Sequence, residues 1–268
     1  MKLASTRTGF GRIEDDAFVP MGDNIVRYLE TGDSNDAPAV RLADVHLIAP
    51  VPRPAKVICV GLNYRDHAEE TGQAIPDEPV LFSKFANSVV GPGADVAVPE
   101  VVDQPDYEAE LAVVIGRRAS DVSPSDALAH VAGYTCANDV SARDLQFRSS
   151  QWFLGKAIDS FLPLGPWLVT ADEVGDARGL AIRCTIDGGV VQDSSTDQMV
   201  FGVGELIAFI SRTITLEAGD VIATGTPPGV GMARDPQRWL ENGERMTVEI
   251  EHIGALTNTV RRTGGGQG

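Results

Sequence analysis

Tyr107-Glu108-Ala109-Glu110-Leu111-Ala112-Val113-Val114-Ile115 is the stretch from which the fold is read. It opens on two acids spaced by one residue and runs into the short apolar segment Ala112–Ile115, which reads as a buried strand. If the extended conformation reaches back through the acids, Glu108 and Glu110 point to one face. Their Cα atoms are then about 6.5–7 Å apart.

Working outward, Lys56 to Val60 is a second apolar run, closed by Gly61. Met246, Val248 and Ile250 alternate like a half-buried strand, and Leu256, Asn258 and Val260 resume the alternation after a turn at Gly254. Asp187-Gly188-Gly189 lies between β-rich runs and predicts a hairpin turn. Val203, Leu206, Ile207 and Ile210 recur at helical spacing and predict a packed helix over 203–212. Ser123-Pro124 looks like an N-cap and first helical residue, opening a helix toward His130. Near the start, Arg12–Ile13 and Ile25-Val26-Arg27-Tyr28-Leu29 read as short strands. Pro50-Val51-Pro52-Arg53-Pro54 reads as a stiff connector. The expected organisation is a small N-terminal β domain over 1–53, a larger domain over 54–261, and a disordered tail over 262–268. Strands outnumber helices and come in runs without internal repeats, so the expected class is α+β, β-rich.

A chain of 268 residues with 43% apolar and 22% charged residues can bury a substantial core. Its formal charge of −16 excludes polyanions as natural partners, so neither nucleic acid nor an anionic membrane is expected. If the substrate is itself an anion, positive charge must be concentrated locally. No apolar run approaches the roughly 20 residues of a membrane span. Met1 to Phe10 lacks the apolar core of a secretory signal, so a cytoplasmic protein is expected. Cys59, Cys136 and Cys184 are far apart in apolar surroundings and suit reduced, buried thiols.

Five local patterns can carry chemistry. Glu108 and Glu110 repel each other unless a cation lies between them. Asp139, embedded after the apolar segment Val131–Cys136, is a third carboxylate. Three oxygen donors without His or Cys nearby suit Mg²⁺ or Mn²⁺ rather than zinc; a solvated acidic strand face would show the same two-residue spacing. His67 and Glu70 are i,i+3 neighbours in a helical turn, the arrangement of an imidazole oriented as a general base, or of an incidental surface pair. Asp139, Arg143 and Gln146 share a face if a helical turn starts there, and Arg143 could then hold a substrate carboxylate in a bidentate fork. Lys156 sits in the apolar context Trp152-Phe153-Leu154-Gly155, either snorkelling outward or buried against an anion or enolate. Gly225-Thr226-Pro227-Pro228-Gly229 is a rigid loop whose hydroxyl and N–H groups could bind a carboxylate, or a plain turn.

Taken together and in this order, these stretches resemble the fumarylacetoacetate hydrolase family over about residues 54 to 261. The matching motifs are Gly61-Leu62-Asn63-Tyr64 with Asp66-His67 and Glu70; Tyr107 to Leu111; Asn138 to Gln146; Lys156; and Gly225 to Val230. Trp152 to Lys156 and Leu164 to Thr170 look most like the bacterial 2,4-diketo-3-deoxysugar-acid hydrolase branch, which is close to acylpyruvases. The resemblance implies a mixed β-sandwich roll with a Mg²⁺ or Mn²⁺ site, usually in a homodimer. Glu108, Glu110 and Asp139 would be metal ligands, and His67 with Glu70 the catalytic pair on a lid that orders on ligand binding. Lys156 would stabilise an enolate. Arg143, Gln146 and Thr226 would line the substrate pocket. Lys84 is assigned to the same pocket wall, although it is followed by Phe85 where many relatives carry proline. The implied activity is cleavage of a C–C bond in an acylpyruvate-type 2-oxo acid through a metal-bound pyruvate enolate. Oxaloacetate decarboxylation or isomerisation of a 2-hydroxy-dienedioate at the same site is the alternative, and a catalytically silent metabolite-binding protein the reading from another class. The expected partner is a small anionic 2-oxo acid.

Overall fold

The computed structural model describes residues 1–263; the glycine-rich tail expected to be disordered lies outside the described residues from 264 onward. Two sheets carry most of the chain. The larger has eleven strands and the smaller has five. Strand Ala109–Ile115 is central to the larger sheet, pairing antiparallel with Val131–Asn138 on one side and with Val221–Ala223 on the other. Val57–Gly61 runs parallel to Val221–Ala223 and pairs antiparallel with Val80–Lys84 at that edge. The β-rich α+β class and the buried strands expected after Lys56 and at Ala112–Ile115 are as the apolar runs indicate.

All seven residues of Ala109–Ile115 are buried, so both faces of the strand are covered. Alternation divides them between two cores. Leu111, Val113 and Ile115 join Cys136, Ile182, Cys184, Val248 and Leu256 between the two sheets. Ala112 and Val114 join Leu3, Phe10, Ile25 and Leu164 on the other side. Removing the apolar surface of one such aliphatic side chain from water stabilises the fold by about 1.5–3 kcal/mol. Cys59, Cys136 and Cys184 are free and buried.

The five-stranded sheet runs Gly189–Ser195, Ala181–Ile186, Arg245–Ile250, Gly254–Thr263 and Asp95–Pro99. Its hairpin turns at Asp187 and Gly188, whose φ values of 49° and 83° suit the tight turn expected there. The strand from Gly254 continues to Thr263, two residues past the expected end of the ordered domain. The helix Val203–Ser211 buries Val203, Leu206, Ile207 and Ile210, the residues whose spacing predicts it. Helix formation at Ser123-Pro124 is weaker than expected: Ser123 closes a turn onto the Asp126 N–H, and only a 3-10 helix, Ala127–His130, follows.

The N-terminal residues form three consecutive antiparallel strands, Lys2–Thr6, Gly9–Glu14 and Ala17–Gly22. Lys2–Thr6 hydrogen-bonds to Leu162–Thr170, so this segment extends the larger sheet. Ile25–Leu29, expected as a strand, is instead part of the helix Ile25–Thr31. Both helix ends are capped. The Asn24 side chain accepts the Val26 and Arg27 N–H groups at 2.9 and 3.2 Å, and Gly32 closes the helix at φ 74°. An N-cap of this kind contributes about 1 kcal/mol, enough to override the weak strand preference of Ile and Val.

Candidate active site

Strand pairing assembles the acids. Register Ala109↔Asn138 sets the end of one strand against the end of its neighbour. The Asp139 N–H donates to the Glu108 carbonyl at 2.9 Å, and the Asn138 side chain accepts the Glu108 N–H at 3.0 Å. Glu108, Glu110 and Asp139 thereby each offer a carboxylate oxygen within 4.8 Å of the others, and all three are buried. A solvated acidic face is excluded by that burial.

Positive charge is concentrated where the acidic composition made it scarce. Lys156 Nζ donates to Glu108 Oε2 at 2.6 Å and to Asp139 Oδ2 at 2.8 Å. Lys156 is 2% exposed, so it does not snorkel. Its placement depends on Gly155: a Cβ there would come within 2.5 Å of the Ala142 carbonyl and the Gln146 nitrogen. Two short helices, Arg143–Gln146 and Phe153–Lys156, can touch only because that position carries no side chain. Lys84 is buried beneath the cavity wall. Its Nζ donates to the carbonyls of Val140 and Phe161 at 2.9 and 2.8 Å, and also to that of Lys156. It also forms a buried ion pair with Asp139 Oδ1 at 2.7 Å. Lys84 therefore braces Asp139 from behind.

Arg143 is more heavily engaged than a free substrate fork. Its Nε and Nη2 face Asp106 at 2.9 Å each, Nη1 donates to Gln146 Oε1 at 3.0 Å, and Nη2 lies 2.6 Å from Glu108 Oε1. Arg143 and Gln146 share a face as i,i+3 residues of one helical turn; Asp139 precedes that turn, which starts four residues later than the expected spacing assumes. Asp106 was not singled out by sequence. It is fully buried and also accepts the N–H groups of Tyr107, Gly231 and Met232. Its position directly ahead of Tyr107-Glu108 was the only signal for it.

These charges set opposite protonation tendencies on the two glutamates. Burial alone would raise the Glu108 carboxyl, but Lys156 and Arg143 outweigh it and hold the group at about 2. Among the described residues Glu110 accepts one hydrogen bond, from the Gly225 N–H at 3.0 Å, and no cation touches it. Burial, then the Asp139 and Glu108 carboxylates, push it well above its ordinary value. Burial opposes the charge of Lys156, yet Asp139 and Glu108 raise it; for Lys84 burial prevails and lowers it.

The acids suit a hard divalent cation. Three buried carboxylates converge there, and Glu110 has no cationic partner among the described residues. An all-oxygen donor set of this kind matches Mg²⁺ or Mn²⁺.

His67 lies on the helix Arg65–Thr71. Its Nδ1 is 2.9 Å from Glu70 Oε2. A carboxylate can only accept, so Nδ1 carries the proton, and in the matching neutral tautomer Nε2 is the acceptor. Glu70 Oε1 accepts the Gly229 N–H at 2.8 Å, and Ser194 donates to Asp66 at 2.5 Å, which pins the helix across the site. With the Gly225 N–H given to Glu110 and the Gly229 N–H to Glu70, the 225–229 loop offers a ligand chiefly its Thr226 hydroxyl. Leu62, on the approach to this helix, holds φ at 50°.

His67, Glu108, Glu110, Arg143, Gln146, Lys156 and Thr226 line one cavity of about 120 Å³, together with Phe82, Phe147 and Trp152. Sequence reasoning did not single out those three aromatic residues, because each reads as ordinary apolar packing. A larger groove of about 410 Å³ lies across Phe82 and Trp152, and its lining carries no ionisable side chain. The smaller cavity is where chemistry is concentrated.

Residues 56–261 match the family described as fumarylacetoacetate (FAA) hydrolase C-terminal. A human protein named oxaloacetate tautomerase FAHD2A, mitochondrial, is 46% identical over 268 residues, covering 95% of this chain and 85% of that one. A solved structure of a putative HpcE protein from Mycobacterium smegmatis superimposes with a TM-score of 0.91 at 34% identity, covering 98% of this chain and 100% of that one. A 2-hydroxyhepta-2,4-diene-1,7-dioate isomerase from Mycobacterium marinum gives 0.84 at 36% identity, covering 99% and 100%. With a family match over most of its length and relatives this similar end to end, the chain belongs to the fumarylacetoacetate hydrolase family.

Proposed function

We propose that the protein interconverts the enol and keto forms of a small anionic 2-oxo acid such as oxaloacetate, with Mg²⁺ or Mn²⁺ held by Glu108, Glu110 and Asp139. His67 lines the same small cavity as Glu108 and Glu110, and that co-location carries the proposal. The names of the human and Mycobacterium marinum relatives, a tautomerase and an isomerase, support it over the hydrolytic alternative.

When bound, the cation supplies Lewis acidity toward the substrate's carboxylate and 2-oxo oxygens. The protein's own groups do the rest. Thr226 and Gln146 hydrogen-bond substrate carboxylate oxygens, and Arg143 adds positive charge at that wall. Lys156 places a second positive charge beside the 2-oxygen. Glu70 fixes the His67 ring so that Nε2 takes a proton from C3 of the keto form. The C3–H electron pair becomes the C2=C3 bond, the C2=O π pair moves onto the 2-oxygen, and that oxygen takes the proton carried by His67 Nε2 to complete the enol. The reverse transfer returns the ketone. Phe82, Phe147 and Trp152 limit the entry of water.

A second reading is hydrolytic cleavage of an acylpyruvate, in which His67 activates water; the His67–Glu70 geometry serves that chemistry equally. Oxaloacetate decarboxylation would use the same cation and Lys156. The test is to add enol oxaloacetate to the Mg²⁺-loaded protein and follow decay of enol absorbance, with EDTA as control and products identified. Faster decay without pyruvate release, abolished by EDTA, is expected. No acceleration, beside cleavage of an acylpyruvate, would replace the tautomerase reading with the hydrolase. The proposal includes a cytoplasmic homodimer. Light scattering should give twice the chain mass of 28.5 kDa, and cell fractionation decides the compartment, since the human relative is named mitochondrial.

A further inference from the structure

Gln192 belongs to none of the motifs above and comes from the other sheet, on strand Gly189–Ser195, yet it is 1% exposed and touches the site. Its Oε1 accepts the N–H of Ala109, the residue between the two glutamates, at 2.9 Å. Its Nε2 donates to Thr226 Oγ1 and to the Pro227 carbonyl, each at 2.8 Å. The amide orientation is not ambiguous: the Ala109 N–H can only donate and the Pro227 carbonyl can only accept. The surrounding backbone is equally fixed. Gly229 packs so closely on this strand that a Cβ would meet the Val191 carbonyl at 2.1 Å and Gln192 Cγ at 3.1 Å.

The consequence falls on Thr226, which is 5% exposed and lines the cavity. Its hydroxyl accepts from Gln192, so its proton is excluded from the Gln192 side. Among the described residues no acceptor hydrogen-bonds that proton, which leaves it for the cavity. A carboxylate ligand only accepts, so this is the orientation such a ligand needs.

We infer that Gln192 is a positioning residue that fixes Thr226 as a hydrogen-bond donor toward a substrate carboxylate. The inference rests on the 2-oxo acid reading above. A hydroxyl free to rotate would serve donors and acceptors alike; one held by Gln192 favours an anion.

The test is a double-mutant cycle on oxalate affinity, measured by calorimetry with the Mg²⁺-loaded protein. Gln192→Glu keeps size and the acceptor for Ala109, but its carboxylate would draw the Thr226 proton away from the cavity. Gln192→Glu and Thr226→Val should each weaken oxalate about tenfold or more, the loss of one hydrogen bond to a charged group. The double variant should bind no worse than the weaker single one, and Thr226→Ser should restore wild-type affinity. If Gln192→Glu does not fold, Gln192→Met, uncharged and of similar size, carries the same comparison: a loss that disappears in the Thr226→Val background. Unchanged affinity in the Gln192 variants, or additive losses in the double variant, beside normal wild-type binding, overturns the inference alone. Absence of oxalate binding by the wild type removes the 2-oxo acid reading, and the inference with it.

Discussion

Glu110→Gln separates the electrostatic role of the acidic triad from its shape. Gln keeps an oxygen for the Gly225 N–H, which donates to Glu110 at 3.0 Å, and nearly the same volume. It removes the charge that has no cation partner while Glu108 and Asp139 keep Lys156. In the wild type Glu110 is raised in the folded state, so the fold binds a proton that the unfolded chain releases near its ordinary value of 4.5. That contribution to stability is fully present below about 4.5 and is lost as pH rises through the raised folded value. Between about 4.5 and that raised value each pH unit costs about 1.4 kcal/mol, and above it there is no further loss. Glu108 works in the opposite sense: held at about 2, it contributes above its ordinary value of 4.5, and that contribution is lost as pH falls toward 2. Without cation, the wild-type melting temperature should therefore fall as pH rises above about 4.5, and Glu110→Gln should flatten that limb while leaving the acid limb set by Glu108 alone. Adding Mg²⁺ at about 100 times its dissociation constant stabilises a binding protein by about 2.7 kcal/mol. At about 2–4 °C per kcal/mol for a chain of this size, that is a rise of about 5–10 °C. Differential scanning fluorimetry over a pH series with and without Mg²⁺ reads both effects. A variant that keeps the full Mg²⁺ shift, or loses stability with rising pH as the wild type does, would refute the reasoning.

Three further outcomes are expected. His67→Ala should slow enol–keto exchange by about 10²–10⁴-fold, the usual contribution of a general base. Glu70→Gln should do so more weakly, and oxaloacetate decarboxylation, if present, should fall much less in both; equal losses in steady-state assays at saturating Mg²⁺ would show that His67 handles a proton common to both reactions. Residues 64–78 should behave as a lid, because Arg65, Asp66 and Glu70 tie that helix to the rest of the chain through a few polar contacts, to the Met199 carbonyl, Ser194 and the Gly229 N–H; hydrogen exchange should slow there when oxalate binds, and equal protection with and without it would count against closure. Asp106→Asn should lower the melting temperature by about 6–20 °C, because it leaves the Arg143 guanidinium short of its charge partner at a cost of about 3–5 kcal/mol; an unchanged melt would show that Glu108 and Gln146 suffice to hold Arg143.

By itself, the sequence determined the elements whose stability is local or periodic. The strands around Ala112–Ile115 and Met246–Ile250, the turn at Asp187-Gly188 and the helix over 203–212 follow from alternation, turn chemistry and helical spacing. The same periodicity misled at Ile25–Leu29, where capping by Asn24 and Gly32 outweighed residue preference. The identities of Glu108, Glu110, Asp139, His67, Glu70, Lys156 and Thr226 were legible because each sits in a compact motif. What those motifs do to one another was not. Burial decides that Glu110 is raised while Glu108, two residues away, is lowered, since only Glu108 meets Lys156 and Arg143. Tertiary packing turned Lys84 away from the cavity to brace Asp139, and committed Arg143 to Asp106. It brought Gln192 from the second sheet, some eighty residues along the chain, into contact with Ala109. A residue's type and its local spacing are written in the chain, but its charge state and hydrogen-bond partners depend on groups that only the folded backbone places within 3 Å of it.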